Sequence, residues 1–513
     1  MIEPWEKYTL SDLLYRAEKK HGDKVAVIDR ENRFTYTQLL NKVKKLASYF
    51  YINNIKKGDR VILQLQNSAL FEIISFALFE IGALPILILP AHREHVVDAI
   101  CGDSQPVAYI TMNEFYGTDY EEEGKRMKEK HSSIRNIYTV NDLEYVLNDV
   151  DVRLVEYERP FPKDLAFLSL SGGTTGIPKL IPRTQGDYSY NAIVTAKHCR
   201  LDENTVNLSA IPVAHNFAFG TPGIIGTIYA GGTNVMCEYP SPVEIFDWIE
   251  NEHVTIMSLV PAVANLCVQY RQVDDGYDIS SLKYLLVGGS VFSPSQAELL
   301  EEVLHTTIIQ VYGMSEGMTF LTEIDANDEV RYMTQGKPCA KEDIFLIVDK
   351  NFNEVQNGEE GEVIVKGPYT IKNYYKNEEA DKKNFKNGFY RPGDKGIMHS
   401  SGNIIITGRV KELINRAGEK IMPSEIEKCF LTIPSVCECV AAGIKDEVLG
   451  EAICVFYKGN NKLHIRNVAE FFRNAKVEDY CIPDKLMRVE QWPFTAVGKI
   501  DKNALKGLLG NGY

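Results

Sequence analysis

Between Leu168 and Arg183 the chain reads Leu-Ser-Leu-Ser-Gly-Gly-Thr-Thr-Gly-Ile-Pro-Lys-Leu-Ile-Pro-Arg. Gly172, Gly173 and Gly176 let backbone N–H groups turn toward one point, because no Cβ obstructs them. Ser171, Thr174 and Thr175 add hydroxyl donors, and Lys179 adds a positive charge. Donors of these three kinds, gathered on one loop, suit a phosphate tail. The loop is not a Walker A sequence, since Gly176 and Lys179 are not adjacent and Leu180 follows the lysine. Taken alone, the same stretch also reads as a surface hairpin loop.

Other chemistry-bearing residues are spread toward the C-terminus: Glu316 in Tyr312-Gly-Met-Ser-Glu316, Asp394 in Tyr390-Arg-Pro-Gly-Asp394, Arg409 in Gly408-Arg-Val-Lys411 and Lys499 in Val497-Gly-Lys499. Each has an ordinary reading when isolated. Pro392-Gly393-Asp394 is a turn. Glu316 suits a helix N-terminus. A lysine near a chain end is usually a solvated charge.

The elements that must position these residues alternate. Leu10-Ser-Asp-Leu-Leu-Tyr15 opens a helix with a Ser/Asp cap, Val25–Ile28 is a strand, and Thr35 starts a second helix. Strands at 58–65 and 84–89 flank an apolar helix from Asn67 to Ile81. Past the loop, Asp187–His198 reads as a helix, Asn207–Pro212 as a strand, Pro242–Glu252 as a helix, and Tyr284–Gly289 and Thr307–Glu316 as strands. Such alternation predicts parallel sheet. Gly, Asn, Tyr and Glu stand at strand C-terminal ends, where open α/β sheets hold ligands. From about 335 the pattern changes to short strands and turns, as in a small β-barrel or twisted sheet. A further αβ pattern follows, with a capped helix over Ser424–Leu431. The expected architecture is α/β: an N-terminal domain 1–408 of parallel and mixed sheets flanked by helices, with its barrel-like part at about 335–408, and a small α+β domain 409–513.

Composition restricts the function classes. The chain has 513 residues, 44% hydrophobic and 25% charged, enough for several cores. A net charge of −14 argues against nucleic-acid or anionic-membrane surfaces. Ten scattered cysteines without a paired Cys-x-x-Cys set suggest reduced thiols and a cytoplasmic setting. The N-terminus lacks a signal-peptide pattern, and the apolar run Ile81–Leu89 is too short to span a bilayer.

The loop, Tyr312–Glu316, Tyr390–Asp394, Gly408–Lys411 and Val497–Lys499 occur in an order and spacing that resemble the adenylate-forming superfamily of acyl- and aryl-CoA ligases, nonribosomal adenylation domains and luciferases. Ala214-His-Asn216, Thr334-Gln-Gly-Lys-Pro338, Gly367-Pro-Tyr-Thr-Ile371 and Ile414-Asn-Arg-Ala-Gly-Glu-Lys420 resemble its stand-alone aryl-acid adenylating branch, known from siderophore pathways. The resemblance implies a two-step reaction using ATP and Mg2+. A carboxylate attacks the α-phosphate to give an acyl-adenylate, and a thiol then displaces AMP. Between the steps the C-terminal domain would rotate. The substrate would be salicylate or 2,3-dihydroxybenzoate, and the acceptor the phosphopantetheine of an aryl carrier protein, or CoA. A benzoate-type CoA ligase is the alternative; a light-emitting oxygenase and a degenerate nucleotide-binding regulator are more distant ones. Monomer and homodimer both stay open.

By the same resemblance, Lys499 would bridge carboxylate and phosphate, Glu316 would bind Mg2+, Asp394 the ribose hydroxyls, and Arg409 the ribose and phosphates. Gly289, Tyr312 and Gly313 would flank the adenine. Lys411 would be the hinge, and Gly418 would lie in the loop serving the thiol step. His215, Asn216, Phe217, Thr221, Gly288, Gly289, Met314 and Thr319 would line the acid pocket, with His215 on the carboxylate side. Amino-acid-activating relatives carry an aspartate where Asn216 stands, and an amide supplies no charge for an α-ammonium. Phe217 replaces a common tyrosine, Thr221 lies in Gly220-Thr-Pro-Gly223 rather than Ser-Ser-Pro-Gly, Thr319 replaces a small apolar residue, and Pro392 replaces Thr or Ser. The pocket floor is therefore altered.

Overall fold

The computed structural model describes residues 3–92, 94–171, 177–290, 292–410, 414–416, 419–446, 448–475, 477, 479–495 and 498–509. Two compact units divide the chain. The first holds the residues up to Phe345 with Val365–Tyr390 and Ser401–Ile404, and the second holds Leu346–Ile364, Arg391–Ser400 and the residues from Ile405 on.

The first unit contains two large sheets. In one, the strands Val25–Ile28, Thr233–Met236, Val206–Ser209, Ile256–Leu259, Tyr284–Gly288 and Thr307–Gly313 lie side by side and parallel. Arg33–Thr35 closes one edge antiparallel; Thr319–Leu321 and Lys337–Pro338 close the other. In the second sheet, Leu165–Leu170, Leu84–Leu87, Arg60–Gln64, Ala108–Thr111 and Asn136–Thr139 are parallel, and Leu180–Thr184 is the antiparallel edge. The glycine-rich loop therefore joins two antiparallel neighbours, Leu165–Leu170 and Leu180–Thr184.

Burial explains the helices. Every residue of Ala69–Glu80 is buried, as expected for a helix apolar all round. The helix Gln185–His198 buries residues on most of its circumference and begins in a capping box, in which Thr184 and Asp187 each accept the other's backbone N–H. The first helix, Leu10–His21, is capped by Thr9 with Asp12 in the reciprocal position, so Ser11 lies inside it instead of forming the expected Ser/Asp cap. One apolar core packs the strands from Leu208 to Ile308 against Phe246, Ile249 and Leu300.

In the second unit, Val436–Asp446 and Gly450–Gly459 form a long antiparallel pair, extended by Ile414–Arg416 and by Lys485–Arg488. Helices Pro423–Phe430 and Ile465–Asn474 cover it through Ile426, Phe430, Val468 and Phe472. The first of these starts on Pro423 at its first turn and has no side-chain cap, so Ser424 is not a cap but a helical residue. Glu360–Glu362 pair with Lys395–Ile397 in this unit, and Val365 pairs with Tyr390 in the first.

Candidate functional site

The loop base is closed by its own residues. Ser171 N donates to the Lys179 carbonyl at 3.0 Å, and Lys179 N donates to Ser171 Oγ at 2.9 Å. The Ser171 hydroxyl thus keeps its proton for another acceptor. Gly172, Gly173, Thr174, Thr175 and Gly176 lie outside the described residues, as do Lys411 and Gly418.

Lys179 leaves the loop toward Tyr374. Its Nζ lies 3.4 Å from the Tyr374 hydroxyl and 4.5 Å from the ring centroid. The same hydroxyl donates to Glu316 Oε1 at 2.8 Å and lies 3.2 Å from the Tyr390 hydroxyl. Burial, and then the Glu316 charge, raise the pKa of Tyr374 and of Tyr390, so both phenols stay protonated donors. A carboxylate and an ammonium therefore meet at one phenol. Glu316 is buried and sits in the turn after Thr307–Gly313, not at a helix start.

The turn carrying Glu316 is held from beneath by Arg183. This guanidinium is 1% exposed. Nε donates to Asp187 Oδ1 at 2.9 Å, Nη1 to the Ser315 carbonyl at 3.0 Å and Nη2 to the Tyr369 carbonyl at 3.1 Å. It also lies 4.7 Å from the Tyr188 ring centroid.

Tyr188 leads to the predicted acid pocket. Its hydroxyl donates to Asn216 Oδ1 at 3.0 Å. Three residues on, Asn191 Nδ2 donates to the Gly220 carbonyl at 2.8 Å, and Asn191 Oδ1 accepts from Thr319 Oγ1 at 3.3 Å. Tyr188, Asn191 and Thr195 share one helix face by their spacing. Gly220 must lack a side chain, because a Cβ there would stand 2.5 Å from the Tyr188 hydroxyl. His215 caps the short helix Asn216–Gly220, its Nδ1 accepting from Phe217 N at 3.2 Å. In the neutral ring this leaves Nε2 protonated. Phe217 is buried among Ile211, Leu286, Ile309 and Val311. Thr221 is buried, and its hydroxyl has no partner among the described residues.

Gly288 ends its strand and Gly289 follows in the bend. A Cβ on Gly288 would lie 2.7 Å from the Val311 carbonyl, and Gly289 has φ +93°. Tyr312 packs on Phe320 with centroids 5.3 Å apart; Gly313 is exposed and Met314 half-buried. In the second unit, Arg409 Nε donates to the buried Asp394 at Oδ1, 2.7 Å away. Lys499 closes a turn in which Thr495 N donates to its carbonyl at 2.7 Å and its own N donates to Thr495 Oγ1 at 3.2 Å. The first unit thus brings together Lys179 and Glu316 through Tyr374, and Asn216 and Thr319 through the helix Gln185–His198. Asp394 and Arg409 meet in the second. Sequence reasoning missed Tyr374, Arg183, Tyr188 and Asn191; the inward helical spacing of 188, 191 and 195 is the one signal that marks any of them.

Comparison with known proteins follows this geometry. The AMP-binding enzyme model matches residues 14–375, and the AMP-binding enzyme C-terminal domain model matches 425–499. A 2,3-dihydroxybenzoate-AMP ligase of Bacillus subtilis is 38% identical over 506 residues, covering 98% of this chain and 94% of the relative. A vibriobactin-specific 2,3-dihydroxybenzoate-AMP ligase of Vibrio cholerae is 36% identical, with 98% and 94% covered. The apo structure of Mycobacterium smegmatis MbtA superposes with a TM-score of 0.76 at 35% identity, covering 98% of this chain and 95% of that one. Two family models in succession, and relatives matched nearly end to end, place the whole chain in one group: it belongs to the AMP-binding enzyme family.

Proposed function

We propose that this enzyme activates an aryl carboxylic acid of the salicylate or 2,3-dihydroxybenzoate type with ATP and passes the aryl group to a phosphopantetheine thiol. One observation carries the reading. An unbroken series of contacts runs from Lys179 through Tyr374 to Glu316, and from the neighbouring Ser315 carbonyl through Arg183 and Tyr188 to Asn216. A cation and an acid suited to phosphates are thereby tied to a neutral amide suited to a ring substituent.

In the first step an acid oxygen forms a bond to the α-phosphorus, and the bond to the pyrophosphate oxygen breaks. Both reactants are anions, so fixed positive charge and oriented donors supply the rate. Lys179 would hold phosphate oxygens, and Lys499, delivered by rotation about Lys411, would bridge the two anions. Asp394 and Arg409 would hold the ribose. Glu316 would offer one hard carboxylate ligand, which fits Mg2+ held by one or two carboxylates plus phosphates. When bound, Mg2+ neutralises phosphate charge. In the second step the thiol sulfur bonds to the acyl carbon as AMP departs with the electron pair, and the thiol proton goes to solvent; Gly418 would lie in the loop facing that thiol. We assign the mobile domain to 409–513.

Asn216 offers no charge to an α-ammonium, which supports an aryl acid over an amino acid. The Thr221 hydroxyl, without a partner among the described residues, supports a further ring hydroxyl, since a buried polar atom without a partner is costly. ATP–pyrophosphate exchange over a set of substituted benzoates tests the reading. Salicylate and 2,3-dihydroxybenzoate are expected to exchange fastest. Faster exchange with unsubstituted or 4-hydroxybenzoate would favour a benzoate-type CoA ligase, and no exchange with any carboxylic acid would end the proposal.

A further inference from the structure

We propose that Tyr188 locks the Asn216 amide in one orientation, so that the pocket presents an N–H donor to the ortho substituent, accepting 2-hydroxybenzoates and rejecting 2-aminobenzoates. The inference rests on the aryl-acid reading, in which the family resemblance sets Asn216 against the group ortho to the carboxylate, and adds to it how Tyr188 fixes the sense of that contact.

An asparagine amide has two ends, and the neighbouring groups decide which end faces a ligand. Here the neighbour is a buried phenol. Tyr188 is fully buried, its ring edge-on to Phe167 at 4.6 Å and tilted against Phe219 at 5.7 Å. The Arg183 guanidinium lies over the same ring, 4.7 Å from its centroid. The bare Gly220 backbone leaves room for its hydroxyl. The phenol cannot swing away, and its O–H has one acceptor among the described residues, Asn216 Oδ1 at 3.0 Å. Flipping the amide would set an N–H against that hydroxyl and leave the phenol proton buried without an acceptor, which is costly. The carbonyl end is therefore committed to Tyr188. Asn216 Nδ2 has no partner among the described residues and is not sealed from solvent, so it is the end left for a ligand.

Ring chemistry gives this orientation a consequence. In 2-hydroxybenzoate the phenol proton bonds internally to the carboxylate, and the oxygen turns a lone pair outward. An amide N–H matches it. In 2-aminobenzoate one N–H makes the same internal bond, and the second N–H points outward. Donor then meets donor. A site built to hydrogen-bond one group discriminates strongly against a ligand that leaves its polar atoms unmatched.

The test measures kcat and KM for ATP–pyrophosphate exchange by the full-length enzyme with salicylate and with anthranilate. The wild type is expected to favour salicylate by about 10² or more in kcat/KM. Tyr188→Phe frees the amide to turn, and the preference should fall at least about tenfold, with KM rising for salicylate and dropping for anthranilate. Asn216→Asp offers only acceptors, so anthranilate should equal or overtake salicylate. An unchanged preference in either variant overturns the lock. Equal losses on both acids in Tyr188→Phe also overturn it, by reducing Tyr188 to scaffolding. Should Tyr188→Phe fail to give the wild-type circular dichroism spectrum, Asn216→Asp decides alone. If the wild type uses both acids alike, the lock fails and the aryl-acid reading stands; if it uses neither and no other benzoate, that reading fails and the lock with it.

Discussion

Replacing Arg183 with methionine is expected to destabilise the first unit by about 3 kcal/mol, the lower end of the cost of breaking a buried ion pair. Methionine fills much of the volume, so the loss is one of charge and donors. Arg183 is 1% exposed and makes three hydrogen bonds, to Asp187 Oδ1 and to the Ser315 and Tyr369 carbonyls. The Asp187 side chain keeps 15% exposure and still accepts from Thr184 N at 2.8 Å, so water and the helix start relieve part of the penalty. That places the figure near the bottom of the range. Burial already raises the Asp187 pKa, and the Arg183 charge opposes the rise. Without Arg183 the pKa climbs further. A carboxyl whose folded pKa lies above its unfolded one holds its proton more tightly when folded. The penalty is thus absent below the ordinary aspartate range, grows as pH rises through the folded pKa and is complete above it. Urea unfolding, followed by far-ultraviolet circular dichroism at a series of pH values, measures this, provided the transition of the first unit is resolved from that of the second. Asp187→Asn in the Arg183→Met background should recover about half the loss, because it removes the stranded charge. A loss under about 1 kcal/mol, one independent of pH, or one equally large with Asp187→Asn present would refute the argument.

Three further outcomes are expected. Lys499→Ala should reduce pyrophosphate exchange by ~10²–10⁴, the range for removing a strong electrostatic stabiliser, and unchanged exchange would remove Lys499 from the reaction. Tyr374→Phe deletes the hydroxyl shared by Glu316 and Lys179, and exchange should fall by about ten- to a hundredfold while the magnesium needed for half-maximal rate rises; an unaltered magnesium titration would contradict the assignment of Glu316. Glu72 is fully buried, and burial pushes its pKa to about 8 against the opposing Asn234 hydrogen bond. Its folded form keeps the proton that the unfolded chain has already released, so its contribution to stability is lost as pH rises through about 8. Glu72→Gln should therefore raise the melting temperature relative to wild type at about pH 9 and leave it close to wild type at about pH 5; equal shifts at both would count against it.

The sequence carried the regular elements because their signals are local. Val25–Ile28 and Pro242–Glu252 have the bounds that their apolar patterns predict. The parallel sheets follow from strand and helix alternation, whereas their antiparallel edges, Arg33–Thr35 and Lys337–Pro338, depend on non-local pairing that no short pattern encodes. The cap on Thr9 has a local pattern of its own: Thr9-Leu-Ser-Asp12 is a capping-box spacing, and Ser11, nearer the apolar residues, competes with Thr9 for the role on sequence alone. In the candidate site, groups on loops and strand ends stood out as glycine, acid or base against an apolar background. Tyr374 did not, because its neighbours Asn373, Tyr375 and Lys376 have no period. Arg183 is the penultimate residue of an edge strand, where a basic residue ordinarily faces water; only the tertiary position of two carbonyls and a carboxylate accounts for its burial.

The helix Gln185–His198 deserves its place between the two halves of the site for a geometric reason. Asp187 accepts from Thr184 N through Oδ2, which starts the helix, and from Arg183 through Oδ1, which fixes the guanidinium under the Ser315 and Tyr369 carbonyls. One residue later Tyr188 reaches Asn216, and Asn191 and Thr195 reach the Gly220 carbonyl. A shift of one residue along the helix turns its faces by about 100°, which would carry all three away from the pocket together. The start of the helix and the shape of the pocket are therefore set by the same carboxylate. If Phe217, Thr221 and Thr319 form the pocket floor, as proposed above, substitutions there should alter the ring pattern accepted while Arg183, Asp187 and Tyr188 keep the amide and the Glu316 turn in place. On this division of labour, exchange of ring specificity needs only the pocket floor, and transplanting the floor without the helix residues that orient Asn216 should transfer no ortho selectivity.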